Sequence, residues 1–465
     1  MKDNTKVFEE YTVPKAVMTM ALPSMLSMLI NIVYNLADTF FVGQTGDSNQ
    51  VAAVSVSMPL FLLFIATGNL FGVGGCAFIS RSLGEGRKDR VKTISAFCIY
   101  ASIAVGLVLG IIFFTLKNQI LMLVGASENT LGLAADYLKW VALGAPSIVL
   151  AITASNLVRG EGAAKESMIG SVIGQITNII LDPIFILHTG DKLFGINMPF
   201  GFDMGVAGAA IATVLSRYVE AAIVIGWTHR HTEKNAFAKG LYSTLKVPAN
   251  LTKKILVKGT PLLFNETLWA SAMAMLTQCY SIRGLNVVAS LNISNTINNV
   301  FNIVFIALGD SVAIIVGQLL GAGDMKKARD TDNKMIAFSV MCCTCVAMVM
   351  FVMAPLFPML YNTNDEAREL AKYLIMITAF FMPQNAFLHA TYFTLRSGGK
   401  TIITFLFDSV FIWCVSVPIA FVLSRYTGIH VLVIYACVQL ADLIKCVIGF
   451  VLVKKGVWLQ NIVSS

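Results

Sequence analysis

The stretch TNIILDPIFIL, Thr177 to Leu187, places an aspartate next to a proline in the middle of an apolar run. A charged side chain at the centre of a membrane helix costs on the order of 2.5 to 3.5 kcal/mol on insertion scales. Such a residue therefore faces the protein interior or a cavity, and it is a functional candidate. The first question is whether the rest of the chain belongs in a membrane.

The composition of the chain is that of an integral membrane protein. Its 465 residues are 56% hydrophobic and 13% charged, with a mean hydropathy of +0.74, which a water-soluble protein could not hide in ordinary cores. Apolar windows of about 20 residues, long enough to cross a bilayer as a helix, recur along it. They predict twelve transmembrane helices, at residues 15–43, 51–78, 93–116, 131–157, 168–188, 205–227, 255–280, 285–317, 335–360, 370–395, 402–423 and 430–453.

The same pattern disfavours an enzyme. The connecting segments are mostly short and leave no separate soluble domain to hold an active site. The nine cysteines show no metal-ligand spacing and the five histidines are scattered, so no nucleophile or metal constellation is visible. We expect no cofactor.

The distribution of lysine and arginine predicts the orientation. With the N-terminus in the cytoplasm, 26 of the 34 basic residues fall on the cytoplasmic side and seven on the other, and Arg217 lies inside a helix. This bias obeys the positive-inside rule in every alternate loop. It predicts a multi-pass plasma-membrane protein with both termini cytoplasmic. It also explains the net charge of +8 without nucleic acid, although the basic loop after the sixth helix could touch anionic lipid.

The chain repeats itself. SRSLGEGRKDRVKT at residues 80–93 recurs as VGQLLGAGDMKKARD at residues 316–330, and placing Gly84 on Gly321 gives an offset of 237. The same offset aligns a second pair of loops, NLVRGEGAAK and FTLRSGGKT. One offset that aligns two separate loops indicates an internal duplication.

The duplication predicts an all-α architecture of two six-helix lobes. The N-terminal lobe is residues 1–228, the connecting loop 229–254 and the C-terminal lobe 255–465. Because each repeat holds an even number of helices, we expect the lobes to be related by a pseudo-twofold axis along the membrane normal. This is the plan of transporters with a cleft between lobes, although a duplicated channel is an alternative. Such a chain needs no partner, so a monomer is expected.

Buried polar residues of the N-terminal lobe fall on shared helix faces. Asp38 lies with Asn31 and Asn35 at positions i, i+4 and i+7 of the first helix. Asp182 follows Asn178 by four residues in the fifth, so the two side chains project within about 40° of each other. These acids and amides are candidates for one polar site.

Further oxygens accompany them. Asn156 near the end of the fourth helix and Thr213 in the sixth lie in the same lobe. Pro183 removes a helix hydrogen bond and leaves the carbonyl of Ile179 free beside the acid. Carboxylate, amide and hydroxyl oxygens suit sodium, and two neighbouring carboxylates also suit a proton because they repel each other. The alternative is that Asp182 only hydrogen-bonds a neighbouring helix.

The C-terminal lobe has one clear acidic candidate. Glu266 is a lone acid in the seventh helix, with Gln384, Asn385 and His389 of the tenth helix as possible neighbours. It could be a counter-charge for a substrate, a second cation site or a structural hydrogen-bond partner.

The remaining polar residues have simpler interpretations. Glu220 follows Arg217 by three residues, which predicts an internal ion pair. Asp408 and Asp442 lie toward predicted helix ends, where loop contacts suffice. The eighth helix carries amides with mostly three- and four-residue spacing, which predicts a polar face toward the cleft rather than toward lipid. These amides are Asn292, Asn295, Asn298, Asn299 and Asn302.

Several motifs together resemble a known family. They are LPSMLSMLINIVYNLADTFFVG in the first helix, the GEGRKDR loop, NLVRGEGAAK after the fourth helix and NIILDPIFI in the fifth. The chain resembles, over nearly its whole length, the multidrug and toxic compound extrusion (MATE) family, and within it the DinF-like branch that includes MepA-type pumps. The resemblance implies a cation-coupled antiporter that exports organic, often cationic and lipophilic compounds from the cytoplasm.

The resemblance also implies roles for individual residues. In the DinF-like branch the acid of the first helix and the Asn and Asp of the fifth form the proton or sodium site, which corresponds to Asp38, Asn178 and Asp182. The hydroxyl of the sixth helix corresponds to Thr213. The NorM-like branch uses a glutamate of the seventh helix, which Glu266 matches, and an aspartate of the tenth, which this chain lacks.

The candidate site residues form two groups. The cation-coupling residues are Asp38, Asn178, Asp182, Thr213 and Asn156, of which the first three would hold sodium; the substrate-cleft residues are Asn35, Glu266, Asn295, Asn299 and Gln384. The alternative function is a flippase for a lipid-linked substrate, which embedded lysines or arginines would favour. Only Arg217 is placed inside a helix by the sequence. A channel or a membrane enzyme is a further alternative.

Overall fold

The chain is almost entirely α-helical. The computed structural model describes residues 12–190, 192–193, 196–232, 249–361 and 363–460. Within them lie twelve long helices: α1 Val13–Gln44, α2 Ser48–Gly84, α3 Lys88–Thr115, α4 Glu128–Gly160, α5 Ala164–Ile186, α6 Gly205–Arg230, α7 Ala249–Ser281, α8 Leu285–Gly321, α9 Met325–Met353, α10 Asp365–Ser397, α11 Thr401–Tyr426 and α12 Val431–Lys455. Two short strands, β1 Lys192–Leu193 and β2 Ile196–Asn197, pair antiparallel between α5 and α6.

Each long helix coincides with one predicted span. Ten of the twelve are long and apolar enough to cross a membrane, and α7 and α10 occupy the remaining two predicted positions. Most helices extend beyond the predicted ends: α2 has 37 residues, about 55 Å, whereas the apolar core of a bilayer is about 30 Å thick. Hydropathy therefore locates the spans and underestimates their length.

Three local features were not predicted. A short helix, Lys117–Val124, precedes α4, and a 3₁₀ turn, Phe357–Leu360, follows α9. The backbone of α11 has π-helical hydrogen bonding over Leu406–Val410 and Ile412–Ser416. Wide turns of this kind arise from tertiary packing and leave no simple mark in the sequence.

The chain divides into two compact units. The first comprises the described residues of Leu26–Ile79 and Arg87–Leu256, and the second those of Thr5–Met25, Ser80–Gly86 and Val257–Ser465. The start of α1 and the end of α2 thus belong to the second unit, and the change within α1 falls two residues after Pro23. The predicted lobe limits stay a prediction, and residues 233–248 of the predicted loop lie outside the described residues.

Within the first unit, α4 is the central helix, with α3, α5 and α6 packed against it. Small residues allow close contact: a Cβ atom at Gly110 of α3 would lie 2.5 Å from the Ala142 carbonyl oxygen of α4. A Cβ at Gly208 of α6 would lie 2.5 Å from the carbonyl oxygen of Phe185 at the end of α5. Membrane helices associate through such small-residue contacts, because lipid supplies no hydrophobic drive. They fix the helices that carry the polar site.

Within the second unit, α10 has the corresponding place, with α8, α9 and α12 packed against it. An apolar core joins α7, α8, α10, α11 and α12 around Leu276, Leu374 and Ile434. Asn298 of α8 is buried and donates hydrogen bonds to Ser294 and to Thr378 of α10, at 3.2 Å each. The described helices of each unit therefore use polar as well as apolar contacts.

The glycine contacts predict a position-specific effect on stability. Gly110→Ala is expected to destabilise the protein by about 1 to 3 kcal/mol, because the added methyl group forces α3 away from α4. Thermal unfolding of the detergent-solubilised protein measures the effect. Gly132→Ala in α4 is the matched control, since a Cβ atom there meets nothing within 4 Å. Equal unfolding midpoints for the two variants would contradict the packing argument.

Candidate cation-coupling site

Three helices of the first unit each contribute a pair of polar residues separated by one turn. The pairs are Tyr34 and Asp38 in α1, Asn178 and Asp182 in α5, and Thr213 and Arg217 in α6. Residues four apart lie on the same face of a helix. The sequence predicted the acids, the asparagine and the threonine, and the structure brings these four together.

The interactions among these side chains define one cluster. The Asn178 amide donates a hydrogen bond of 3.4 Å to the Thr213 hydroxyl. Asp182 interacts electrostatically with Asp38, and both carboxylates interact with the hydroxyls of Tyr34 and Tyr137. Tyr137 comes from the central helix α4, so four helices meet at this point. We call these residues, Tyr34, Asp38, Tyr137, Asn178, Asp182 and Thr213, the acid cluster.

The Asn178 amide acts on Asp182 as a hydrogen-bond donor. The acid cluster nevertheless contains buried oxygens without a hydrogen bond of good geometry from any residue that the structure describes. They are Oδ1 of Asp38, Oδ1 of Asn178 and both carboxylate oxygens of Asp182. Asn178 and Asp182 are 0% exposed. An ionised carboxylate in such a place is costly unless a cation or a proton neutralises it. The donor set consists of hard oxygens, which fits sodium, and the two acids fit a proton equally well.

Two tyrosines were missed by sequence reasoning. Tyr34 had a usable signal, because it precedes Asp38 by one helical turn on the same face. Tyr137 had none, since its approach to the acids depends on how α4 packs against α1 and α5. Pro183 lies inside α5, one residue after Asp182, and the predicted free carbonyl of Ile179 stays a prediction.

Asn156 and Asn35 lie elsewhere. Asn156 follows Tyr137 by 19 residues in α4, about 28 Å along the helix. Its amide donates to the backbone of Ile152 at 2.9 Å. The structure thus does not bring Asn156 to the acid cluster. Membership of the same lobe does not determine how far along its helix a residue lies. Asn35 is exposed and faces away from its buried neighbour Tyr34.

A second carboxylate in the first unit is fully paired. Glu220 of α6 accepts from Arg217 at 2.8 Å, from Ser171 at 2.7 Å and from Ser155 at 3.1 Å. The predicted internal ion pair is confirmed. Arg217 also interacts with the Tyr34 hydroxyl, so this paired acid lies directly beside the acid cluster.

A polar cavity lies one helical turn beyond the acid cluster. Its volume is about 300 Å³, and its lining includes Gln50, Leu133, Asp136, Ile186 and Asp203. Ile186 follows Asp182 by four residues, and Leu133 precedes Tyr137 by four, so the cavity and the cluster share two helix faces. Two aspartates at its wall give this end of the first unit a negative potential.

The predicted cleft residues of the second unit do not form one cluster. Asn295 and Asn299 lie on an exposed face of α8. Gln384 of α10 donates to the backbone carbonyl of Gln439 at 2.9 Å. Glu266 of α7 is exposed and interacts electrostatically with Arg396, Asp408 and Asp310. Their predicted role in substrate binding stays a prediction.

The main polar cluster of the second unit was not predicted. Asp408 of α11 forms an ion pair of 3.1 Å with Lys445 of α12 and accepts from the Asn265 amide of α7 at 3.1 Å. The expectation that loop contacts satisfy Asp408 was therefore wrong. The 26 basic residues assigned to the cytoplasmic side include Lys445, and the structure corrects this, since Lys445 is buried within α12. Spacing could not reveal a pair whose members come from different helices.

Twelve apolar helices in two duplicated halves, with unpaired acids buried among them, define a secondary membrane transporter rather than an enzyme. The MatE family model matches residues 23–184 and again residues 261–422. The two matches start 238 residues apart, at 23 and 261, which agrees with the offset found in the sequence. This chain belongs to the MatE family.

Relatives and solved structures agree with this assignment. The multidrug export protein MepA of Staphylococcus aureus (strain NCTC 8325) is 28% identical over 427 residues, which cover 91% of this chain and 90% of that protein. MepA of Staphylococcus haemolyticus is 27% identical over 91% of this chain and 89% of its own length. A crystal structure of a MATE transporter in complex with MaD3S has a TM-score of 0.87 at 22% identity, with 98% of both chains covered. The predicted family and the all-α fold of twelve transmembrane helices are confirmed.

The paired acid predicts a coupled effect on stability. Arg217→Met is expected to destabilise the protein by about 3 to 5 kcal/mol, because it leaves the buried Glu220 without its counter-charge. Arg217→Met combined with Glu220→Gln should recover most of the loss. Thermal unfolding of both variants in detergent measures the difference. A double variant no more stable than Arg217→Met would show that the pair is not the source of the effect.

Proposed function

We propose that this protein is a cation-coupled antiporter that exports organic, often cationic and lipophilic compounds from the cytoplasm. It would act as a monomer in the plasma membrane, with both termini cytoplasmic, and would use a proton or a sodium ion at Asp38, Asn178, Asp182 and Thr213. Kinship with multidrug export proteins named MepA supports the class of substrate.

One observation carries the proposal. Four buried oxygens of Asp38, Asn178 and Asp182 lack a hydrogen bond of good geometry within the described part of the chain, and no described cation acts on either acid, while the neighbouring Glu220 has three donors. When one buried acid is completely neutralised and two neighbouring acids have no counter-charge, the two acids are candidates for a functional site. A transported cation is the partner that such a site lacks.

The proposed cycle follows from competition for negative charge. The organic cation binds while the acids are ionised, attracted by charge in a low-dielectric setting. Binding of the proton or sodium ion at the acid cluster removes that attraction and favours release of the compound outside. Each elementary charge that moves inward through 100 mV supplies about 2.3 kcal/mol, so one or two ions suffice to drive export. The polar cavity beside the cluster is the natural approach for the ion.

A flippase for a lipid-linked substrate is the alternative. Embedded basic residues would favour an anionic lipid headgroup, and the structure adds Lys445 of α12 and Arg81 in the last turn of α2 to Arg217. Lys445 and Arg217 are each paired with a carboxylate, at 3.1 and 2.8 Å, and Glu85 acts electrostatically on Arg81. Cations with acidic neighbours leave little positive charge for a headgroup, and this favours the antiporter.

Loss of one carboxylate should abolish coupling. In proteoliposomes preloaded with a fluorescent lipophilic cation, the unmodified protein is expected to accelerate dye efflux under an inward sodium gradient or pH gradient. Asp182→Asn should reduce gradient-driven efflux at least about tenfold, because the neutral amide cannot exchange a cation's charge. Measuring the two gradients separately identifies the ion.

The matched control removes a carboxylate outside the cluster. Asp89→Asn changes an acid whose side chain is 100% exposed, so efflux should be unchanged. Normal gradient-driven efflux by Asp182→Asn would make Asp182 structural and refute the coupling site. Lack of dye transport by every variant, together with transport of a lipid-linked substrate, would favour the flippase.

The ion and the compound should weaken each other's binding. The apparent Kd of the dye for the detergent-solubilised protein is expected to rise about tenfold when the coupling ion is raised to saturation, since a coupling free energy of 1 to 3 kcal/mol is typical. Fluorescence anisotropy at constant ionic strength measures the change. In Asp38→Asn the dependence should disappear. Equal ion dependence in both proteins would place the competition at another site.

A further inference from the structure

The ion pair of the second unit occupies a complete recognition site for an ammonium group. The Lys445 ammonium lies 3.1 Å from Oδ1 of Asp408. It also lies 5.5 Å from the ring centre of Phe407 and 5.8 Å from that of Phe411. A carboxylate with two aromatic rings is the usual environment in which proteins bind organic ammonium ions. Here the chain's own lysine fills it.

The carboxylate is held from its other side. Oδ2 of Asp408 accepts from the Asn265 amide at 3.1 Å, and this amide also donates to the Tyr392 hydroxyl at 3.3 Å. Ser409 donates to the Asn265 side-chain oxygen at 2.7 Å. Asn265 is buried. Asp408 is thus fixed by a neighbour that is itself fixed, independently of Lys445.

Two features of the helix backbones, a π-helical turn in α11 and a glycine in α12, position the groups of this site. Asp408 lies within a π-helical turn of α11, and wide turns of this kind occur frequently at functional sites. Gly449 of α12, one turn after Lys445, makes room for a ring: a Cβ atom there would lie 3.1 Å from Cζ of Phe407. The ring and the ammonium therefore meet the same face of α12.

The surroundings are acidic. Asp442, three residues before Lys445, interacts electrostatically with both members of the pair. Glu266 and His389 interact with Asp408, and Arg396 acts on Glu266. Without Lys445, Asp408 would lie among other acids in a largely buried site, and it would need another cation.

A related arrangement in the first unit neutralises a different acid. The 237-residue offset places Ser155 on Tyr392 and Ser171 on Asp408. In the first unit, Ser155 and Ser171 donate to Glu220 of α6, which Arg217 neutralises. Each unit therefore neutralises one acid with a basic residue of its own helices, although Glu220 and Asp408 do not occupy corresponding positions.

We propose that Asp408, Phe407 and Phe411 form a binding site for a primary alkylammonium ion, and that Lys445 is its built-in ligand. By filling the site permanently, Lys445 keeps mobile cations out of it. The coupling ion of the proposed transport cycle then binds elsewhere, at the acid cluster of the first unit. This last clause rests on the proposed function; the ammonium site itself does not.

The test is to empty the site and refill it from solution. Lys445→Ala removes the atoms from Cγ to Nζ, which n-propylammonium matches in length and charge. The variant is expected to unfold at a lower temperature than the unmodified protein in detergent. Its midpoint should rise by several degrees with n-propylammonium chloride, saturating in roughly the millimolar range. Sodium chloride at equal ionic strength should have no such effect.

Two further proteins make the result specific to the proposed contact. Neither the unmodified protein nor Asp408→Asn/Lys445→Ala should respond to n-propylammonium. In the unmodified protein Lys445 fills the site, and in the double variant the site has lost its carboxylate. Absence of a response in folded Lys445→Ala overturns the proposal. An equal response in the double variant also overturns it, because the amine then acts elsewhere.

A second pair of variants covers the case in which Lys445→Ala does not fold. Lys445→Met keeps the aliphatic stem and removes the charge. It should unfold at a clearly lower temperature, and Asp408→Asn/Lys445→Met should recover most of the difference. Full stability of Lys445→Met alone would show that Asp408 needs no cation and would overturn the proposal. These measurements use no ion gradient, so their outcome does not depend on whether the protein is an antiporter.

Discussion

A carboxylate buried between membrane helices must find a positive charge or a proton, because no water is available to solvate it. The described structure answers this requirement in two ways. Glu220 and Asp408 are neutralised by arginine and lysine side chains at 2.8 and 3.1 Å. Asp38 and Asp182 have no such partner among the described residues. The contrast separates acids that have a permanent counter-charge from acids that have none among the described residues.

Duplication explains how both kinds of acid arose in one chain. The two halves share loop motifs at a single offset, and the MatE model matches each of them. Their central helices, α4 and α10, share two corresponding neighbours, because α3 corresponds to α9 and α6 to α12. The charges, however, have diverged. The acid near the end of the fifth helix, Asp182, falls on Ile419 at the 237-residue offset, so the second half has no carboxylate at the corresponding position. Packing has been kept while the chemistry has been concentrated in one unit.

The sequence predicted whatever depends on local spacing. Apolar windows located all twelve helices, and the four-residue separation of Asn178 and Asp182 identified their common face. Prediction from the sequence failed for contacts that depend on how one helix packs against another. Tyr137 reaches the acids, and Lys445 reaches Asp408, only because separate helices converge at the right depth. Asn156 shows the reverse error, since it shares a unit with the site and lies about 28 Å along α4 from Tyr137.

Helix ends were a second source of error, and for a related physical reason. Hydropathy reports the thickness of the apolar layer, about 30 Å, whereas the helix continues wherever its backbone hydrogen bonds can be formed. The basic-residue tally places Lys445 on the cytoplasmic side, although it lies inside the predicted span 430–453 and well within α12. Its position could be inferred only from its partner: a lysine enters the apolar layer when a carboxylate of another helix is fixed to receive it. A buried lysine in a transporter is thus evidence about the acid beside it. The reverse also holds: a buried acid without such a lysine or arginine needs another source of positive charge, and for this reason Asp38 and Asp182 are the acids at which we propose that a mobile cation binds.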